Sequence, residues 1–496
     1  MTNFVNTRVI NSRSGAFFTR FFSLNLIMMP FKPTYCFLLL LFIASCTFQP
    51  RRDEALMEMD LENIREKGKI TVITDYSSTD YFIYRGQPLG FQYEMLQQLA
   101  NHLSVRLEVR VSRSLSESFE MLQKGEADLI AQNLTVTKER RSYVDFTKPF
   151  LHSRQVLVQR KPEKWQQMNK REIDASIVTN PVDLIGKTIY VMRGSAFHAR
   201  LRNLSEEIGG EINVIEVDES IEQLIYLVSI GEIPYTVSDE IIANVNSKYY
   251  PDVDISLPLS LQQDMAWAVR KGSTTLLGEL NTWLGAFSQT RKYKELYARY
   301  FNNEKVATIM ESDFYAINTG KISPYDQYIR QYSQKLGWDW RLLASLIYQE
   351  SRFKIDVTSW AGARGLMQLM PTTAQRFGVA PESSPRDQIR GGTEFIQWLN
   401  NQYSDVHDRN ERIKFILAAY NIGPGHINDA RNLARKNGAN PDKWDDNVAR
   451  FLLSKADPKF YNDPVVKFGF CRGTETFRYV SEVLERYEHY KNLVGK

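Results

Sequence analysis

The segment Asp339-Trp-Arg-Leu-Leu-Ala-Ser-Leu-Ile-Tyr-Gln-Glu350 sets one carboxyl group among apolar residues at helical spacing. Leu343, Leu346, Ile347 and Glu350 fall at i, i+3, i+4 and i+7, which is one face of an α-helix, and Asp339 stands where an N-cap belongs. A glutamate on such a face loses hydration, so its pKa rises and it stays protonated near neutral pH, as a general acid for glycosidic cleavage requires. The same spacing also suits a last-turn glutamate paired with Arg352 or a nearby lysine, and periodicity alone does not separate the two readings. Other chemistries find less support. The six histidines, His102, His152, His198, His407, His426 and His489, have no metal-ligand spacing, and no glycine-rich phosphate loop joins a strand to a helix. The expectation is an enzyme without metal or other cofactor.

The elements that must position this acid change character along the chain. Residues 69–74 alternate as a first strand, and a β/α rhythm follows: a helix over 91–103, a strand over 107–111, a helix over 115–123 and a short strand over 127–131. A second rhythm runs from 184 through a helix at 220–230 and a strand at 235–237; residues 265–301 then return with another strand and helices. Strands alternating with helices predict a largely parallel sheet. After Pro324 the pattern turns almost wholly helical, with Gly and Pro only between helical stretches.

Two resemblances follow. The order lobe one, lobe two, lobe one over residues 67–302 resembles an extracellular solute-binding domain of the polar amino acid type. Its best phrases are Gly86-Gln-Pro-Leu-Gly-Phe91, Gly125-Glu-Ala-Asp-Leu-Ile130 and Leu134-Thr-Val-Thr-Lys-Glu-Arg-Arg-Ser-Tyr-Val-Asp-Phe-Thr-Lys-Pro-Phe150. The resemblance implies that Arg140 holds a ligand's α-carboxylate and Asp239 its α-amine; the alternative is a pair of structural ion pairs. Asp75-Tyr-Ser-Ser-Thr-Asp-Tyr81 departs from the family's usual aromatic cradle, so the ligand stays open, an amino acid or a wall-derived peptide being expected.

Downstream, Glu350-Ser351 is followed by Gly362-Ala-Arg-Gly-Leu-Met-Gln-Leu-Met-Pro371, Ala418-Ala-Tyr-Asn-Ile-Gly-Pro-Gly425 and Glu475-Thr-Phe-Arg-Tyr-Val480. These blocks resemble the soluble lytic transglycosylase catalytic domain, an all-α goose-lysozyme-like fold that cleaves peptidoglycan, and the whole chain resembles membrane-bound lytic transglycosylases. The resemblance implies that Glu350 is the sole acid and base, with Ser351 beside it. It places Gln368 near the scissile bond, Met367 along the groove, Tyr420 and Asn421 in its wall, and the Tyr479 hydroxyl near the acid. Read without it, Met367 and Tyr420 are more often core, and Asn421 belongs to a helix end. The implied reaction yields a 1,6-anhydro sugar without water. Ordinary glycosidases need two carboxylates; Asp356 is close in sequence, but a surface position is expected for it. A lysozyme-like hydrolase is the second reading, and a silent cell-wall or solute-binding protein the third. Residues 426–473 have no assigned chemistry.

Composition frames this reading. At 496 residues, 43% hydrophobic and 24% charged, the chain exceeds one core. The formal charge of +4 resides in residues 1–45, which hold Arg8, Arg13, Arg20 and Lys32 and no acid, so no nucleic-acid partner is expected. Residues 37–44 form a short apolar run after Lys32, the layout of an export signal, and too short to span a membrane. Ile43-Ala44-Ser45-Cys46 resembles a lipobox, which makes Cys46 the lipidated first residue; a plain signal peptide or an uncleaved anchor is the alternative. Thr47 supplies no inner-membrane retention aspartate, which points to the outer membrane, facing the periplasm. A start at Met28 or Met29 gives a leader of ordinary size. With Cys36 removed and Cys46 lipidated, only Cys471 remains, as a small buried hydrophobe. The expected organisation is a leader over 1–45, a tether over 46–66 and a two-lobed solute-binding-like domain over 67–302, with lobe one at 67–150 and 256–302 and lobe two at 151–255. A linker over 303–325 and a catalytic domain over 326–496 complete it.

Overall fold

A computed structural model describes residues 60–493, apart from residues 113, 303–308, 310, 311, 313 and 314. The leader, both alternative starts, Cys36, Cys46 and Thr47 lie outside the described residues, as do most of the tether and part of the linker. No helix among the described residues is long and apolar enough to cross a membrane.

The first sheet carries β1 (Lys69–Thr74), β4 (Arg106–Val111), β5 (Leu129–Thr135), β6 (Val144–Phe146), β7 (Leu151–Ser153) and β13 (Gln263–Arg270). Its order is β4-β1-β5-β13-β6, with β7 also paired to β13. β4, β1 and β5 run parallel, and β13 returns antiparallel to β5. Successive side chains of β1 feed two cores. Val72 packs with Leu96 and Leu99 of α1 (Phe91–Leu103), whereas Ile73 packs with Phe119 and Leu122 of α2 (Leu115–Gln123). Helices on both faces explain why Ile70 through Thr74 are all buried, the two threonines included, although the residue types alternate.

The second sheet is built from β8 (Gln155–Arg160), β9 (Thr188–Met192), β10 (Asn213–Val217), β11 (Tyr235–Asp239) and β12 (Val253–Asp254), in the order β10-β9-β11-β8-β12. Ile225 and Val228 of α3 (Ile221–Ile230) pack on one face against Val156 and Val158. The chain therefore leaves the first sheet after Ser153 and rejoins it at Gln263. A small hairpin, β2 (Phe82–Tyr84) with β3 (Gln87–Leu89), stands apart from both sheets.

The strand expected at 127–131 runs instead over Leu129–Thr135. Asp128 is spent before the strand, accepting from the Thr71 amide at 2.8 Å. The polar tail of the strand survives because its side chains find partners: Asn133 accepts from Gln92 and donates to Asp80 Oδ1. Apolar alternation alone understated the element.

The helical region contains α4 (Asp326–Leu336), α5 (Trp340–Ser351), α6 (Pro385–Gln402), α7 (Arg409–Ile422), α8 (Pro424–Lys436), α9 (Ala449–Ser454) and α10 (Gly473–Leu493). Leu343, Leu346 and Ile347 of α5 are fully buried in one core with Phe415 of α7 and Val483 of α10. Ser345 of α5 donates to the Val483 carbonyl at 2.6 Å, locking α5 against α10. The far end of α10 reaches the β2–β3 hairpin and β4 of the first sheet. Tyr490 donates to the Gly86 carbonyl at 2.7 Å, and Asn492 donates to the Val109 carbonyl at 2.9 Å. His489 and the Tyr81 hydroxyl hydrogen-bond at 2.6 Å. Gly86 has φ +76, and a Cβ there would lie 2.7 Å from both the Tyr490 hydroxyl and the Phe353 ring, so the close approach needs glycine.

Candidate active site

α5 begins where Asp339 accepts from the Arg341 amide at 3.0 Å and ends at Arg352, which has φ +51. Glu350 therefore occupies the last turn, beside α10. Tyr479 of α10 donates its hydroxyl to Glu350 Oε1. Burial pushes the Glu350 carboxyl up to about 7, the Tyr479 hydrogen bond drawing it back in part. Among the described residues, no lysine or arginine forms an ion pair with Glu350, and Arg352 turns outward, so the paired-glutamate alternative is not the arrangement found.

Ser351 is buried and donates to the Leu366 carbonyl at 2.8 Å, tying the end of α5 to the loop that holds Gln368. Gln368 has φ +47, and its side-chain amide donates to the Val357 and Gly365 carbonyls, both at 2.9 Å. Its amide protons thus brace the loop. Gly365 is required here: its φ is +74, and a Cβ would lie 2.3 Å from Gln388 Oε1, which accepts from the Leu366 amide. The Tyr420 hydroxyl donates to the Met367 carbonyl at 2.6 Å, and burial, with the Glu350 charge adding to it, raises the pKa of both Tyr420 and Tyr479. Glu350, Tyr420 and Tyr479 therefore form one cluster. Asn421 is exposed, and its Oδ1 accepts from Thr476 of α10 at 2.8 Å.

Met367 departs from its expected place on the groove. Its side chain is 1% exposed and lies in the core, because Gly392 of α6 opens a slot in which a Cβ would stand 2.5 Å from the Met367 methyl. What Met367 offers the site is its carbonyl, as the Tyr420 acceptor. Asp356 is exposed and lines a cavity of about 830 Å³ with Val357, Gly365, Leu369 and Gln388, a cavity whose lining includes neither Glu350 nor Tyr479. Thr476 and the chain from Arg486 through Gln349 to Glu482 behind α5 escaped the sequence reading. Thr476 lies inside the Glu475–Val480 block, so its proximity to Tyr479 was the available signal.

In the two-lobed domain, Arg140 is buried and donates to the Thr135 carbonyl at 3.0 Å and, across to the second sheet's side, to the Gly194 carbonyl at 3.2 Å. Asp239 is buried, and its Oδ1 has no hydrogen-bond partner. Burial pushes its carboxyl up to about 7 against the opposing pull of Arg140. Both residues line a cavity of about 50 Å³ with Asp75, Asp80, Gln132 and Ser195. Tyr81 does not join this cavity; it stacks on Tyr76 at 5.8 Å and faces His489. Burial pushes His489 down to about 3, so it is neutral in this interface. No group of histidine, cysteine or acidic side chains suited to a metal occurs among the described residues.

Residues 69–303 match the model for bacterial extracellular solute-binding proteins, family 3, and residues 327–443 match the transglycosylase SLT domain. Curated relatives named membrane-bound lytic murein transglycosylase F align over most of the chain. That of Desulfosudis oleivorans is 33% identical over 430 residues, 86% of this chain and 91% of the relative. That of Pseudomonas fluorescens is 30% identical over 457 residues, 91% of this chain and 88% of the relative. Among solved structures, an ancestral amino acid-binding protein, a precursor of cyclohexadienyl dehydratase, superposes with a TM-score of 0.40 at 23% identity, covering 49% of this chain and 98% of its own. A solute-binding α/β domain joined to a helical SLT domain defines a modular peptidoglycan-cleaving lyase. The chain belongs to the membrane-bound lytic murein transglycosylase F family.

Proposed function

We propose that Glu350 alone carries the cleavage chemistry, as acid and then as base. Its protonated carboxyl gives a proton to the bridging oxygen of the MurNAc-GlcNAc β-1,4 bond, and the substrate's own N-acetyl group stabilises the cation that develops as the bond breaks. The resulting carboxylate removes the proton from the muramyl 6-hydroxyl, whose oxygen closes on the anomeric carbon. The product is a 1,6-anhydro sugar, the proton is returned to Glu350, and no water is consumed. The observation that carries this reading is a desolvated carboxyl held near pH 7 by its surroundings, with a tyrosine hydroxyl as its hydrogen-bond partner. The exposure of Asp356 on a cavity whose lining lacks Glu350 supports a one-carboxylate mechanism over a lysozyme-like one.

In this reading Ser351 and Gln368 fix the loop beside the acid, Tyr420 and Asn421 form the groove wall, and Tyr479 orients Glu350. Arg140 and Asp239 hold an amino acid or a wall-derived peptide, whose binding closes the lobes and shifts the catalytic domain through the shared population. In this reading the chain is organised as a leader over 1–45, a tether over 46–66, a solute-binding domain over 67–302, a linker over 303–325 and a catalytic domain over 326–496. Cys46 carries the lipid that holds the protein to the outer membrane on its periplasmic side.

The test is to incubate the mature protein and its Glu350→Gln variant with purified peptidoglycan and to weigh the released muropeptides. Anhydro products from wild type alone are expected. Products heavier by one water would make the enzyme a hydrolase, and no release from wild type would favour the binding-protein reading.

A further inference from the structure

Residues 426–473, between the groove wall and the block that holds Tyr479, put aromatic side chains in the open. Phe468 is 59% exposed and Phe470 55%. The exposure does not come from a loose backbone, because the segment is tied on both sides of these rings. Asp429 of α8 is almost fully buried and accepts from the Lys467 and Phe468 amides, both at 2.8 Å. The same carboxylate accepts from Lys455 Nζ at 2.7 Å, and Lys455 is 0% exposed. Beyond the rings, the Cys471 amide donates to the Lys455 carbonyl. A buried ion pair persists only when its remaining donors and acceptors are satisfied, and here the carboxylate's are taken by backbone amides of the very segment that carries the phenylalanines.

The placement of the rings continues the groove wall. The Phe468 ring packs directly on Gly425, where a Cβ would lie 2.6 Å from it, and beside the His426 imidazole at 6.0 Å. Gly425 closes the Ala418–Gly425 block that holds Tyr420 and Asn421, and Asn421 is joined through Thr476 to the helix that carries Tyr479. The edge of Phe470 meets Tyr461 at 5.9 Å. Exposed phenyl rings on a tied segment offer no charge and no hydrogen bond. They offer a flat apolar face, which matches the C–H face of a pyranose ring.

We infer that Phe468 and Phe470 form a stacking platform for a sugar ring of the glycan strand, at a position along the strand beyond the bond being cleaved. The inference rests on the proposed peptidoglycan activity and adds to it a subsite that lengthens the recognised stretch of strand. The platform lies outside residues 327–443, the part matched by the transglycosylase SLT domain.

The experiment measures co-sedimentation of the full chain with insoluble purified peptidoglycan, in the Glu350→Gln background so that the strand stays intact. Adding Phe468→Ala and Phe470→Ala together is expected to weaken binding about tenfold, and replacing both by Trp is expected to restore it. Binding by the double alanine chain equal to that of its Glu350→Gln parent would overturn the platform while leaving the activity reading in place. Weakening that Trp does not restore would also overturn it, by showing that the change acted through the fold. Failure of the parent itself to bind would remove the platform together with the reading beneath it.

Discussion

Tyr479 and Tyr490 stand about three turns apart on α10, and their hydroxyls serve different domains: Tyr479 donates to Glu350, Tyr490 to the Gly86 carbonyl of the hairpin beside the first sheet. One helix therefore positions the partner of the acid while anchored in the solute-binding domain. The middle of that helix is fixed as well, by Ser345 on the Val483 carbonyl and by Gln349 between Glu482 and Arg486.

The Glu350 carboxyl rises from an ordinary 4.5 to about 7 on folding, so above pH 4.5 the unfolded chain releases a proton that the folded chain keeps. Stability from this group is fully present below that pH and is lost as pH rises through about 7, by about 3 kcal/mol in all. Glu350→Gln removes the loss. In denaturant unfolding, the variant is expected to be more stable than wild type at pH 8 by up to about this amount, and close to it at pH 4.5.

Tyr479→Phe deletes a hydrogen bond that lowers the Glu350 pKa. The alkaline limb of the pH–kcat/KM profile is expected to move to higher pH, with the maximum rate down roughly tenfold, the equivalent of one hydrogen bond to a charged group. An unmoved limb would show that Tyr479 does not act on the acid.

Gly86→Ala forces a Cβ against Tyr490 and Phe353 at a positive φ. It is expected to cost about 1–3 kcal/mol and to lower turnover, through strain and overpacking at the anchored end of α10. Gly68→Ala is the control, because Gly68 has φ +62 but nothing within 4 Å of the added methyl. Melting temperature and rate measured on both variants separate the clash from the backbone preference.

Asp239 is buried with one carboxylate oxygen lacking a partner, in the cavity that Arg140 also lines. For a ligand carrying an amine, Asp239→Asn is expected to weaken binding to the full chain roughly 100-fold, the scale of breaking a desolvated charge pair. Calorimetry with amino acids and wall-derived peptides reads this directly, and a flat trace for wild type with each of them would reject the ligand-holding role.

Two helices of the two-lobed domain, over 91–103 and 115–123, were legible to the residue, because local chemistry marks their ends. Leu115–Gln123 starts at Ser114, which accepts from the Glu117 amide, and Phe91–Leu103 stops at Ser104 with φ +57. β5 was not, because Gln132 and Asn133 interrupt its apolar alternation and are made compatible with the strand by partners distant in sequence. In the site, the position of Glu350 on the buried side of α5 was legible from helical spacing, since Leu343, Leu346 and Ile347 of the same helix mark that face. The role of Tyr479 came only from resemblance, because its bond to Glu350 spans 129 positions and no local pattern encodes it. Met367 went the other way: residue type alone favoured the core, where its side chain lies beside Gly392, and only the resemblance placed it along the groove.

Glu350 sits in the last turn of α5, just before the helix ends at Arg352. The peptide dipoles of a helix sum to a partial negative charge at this end, which disfavours an anion placed there. The backbone thus acts in the same direction as burial, and it does so through groups that no side-chain substitution removes. Whatever changes the hydration of the carboxyl, this contribution stays, and the group keeps part of its reluctance to ionise.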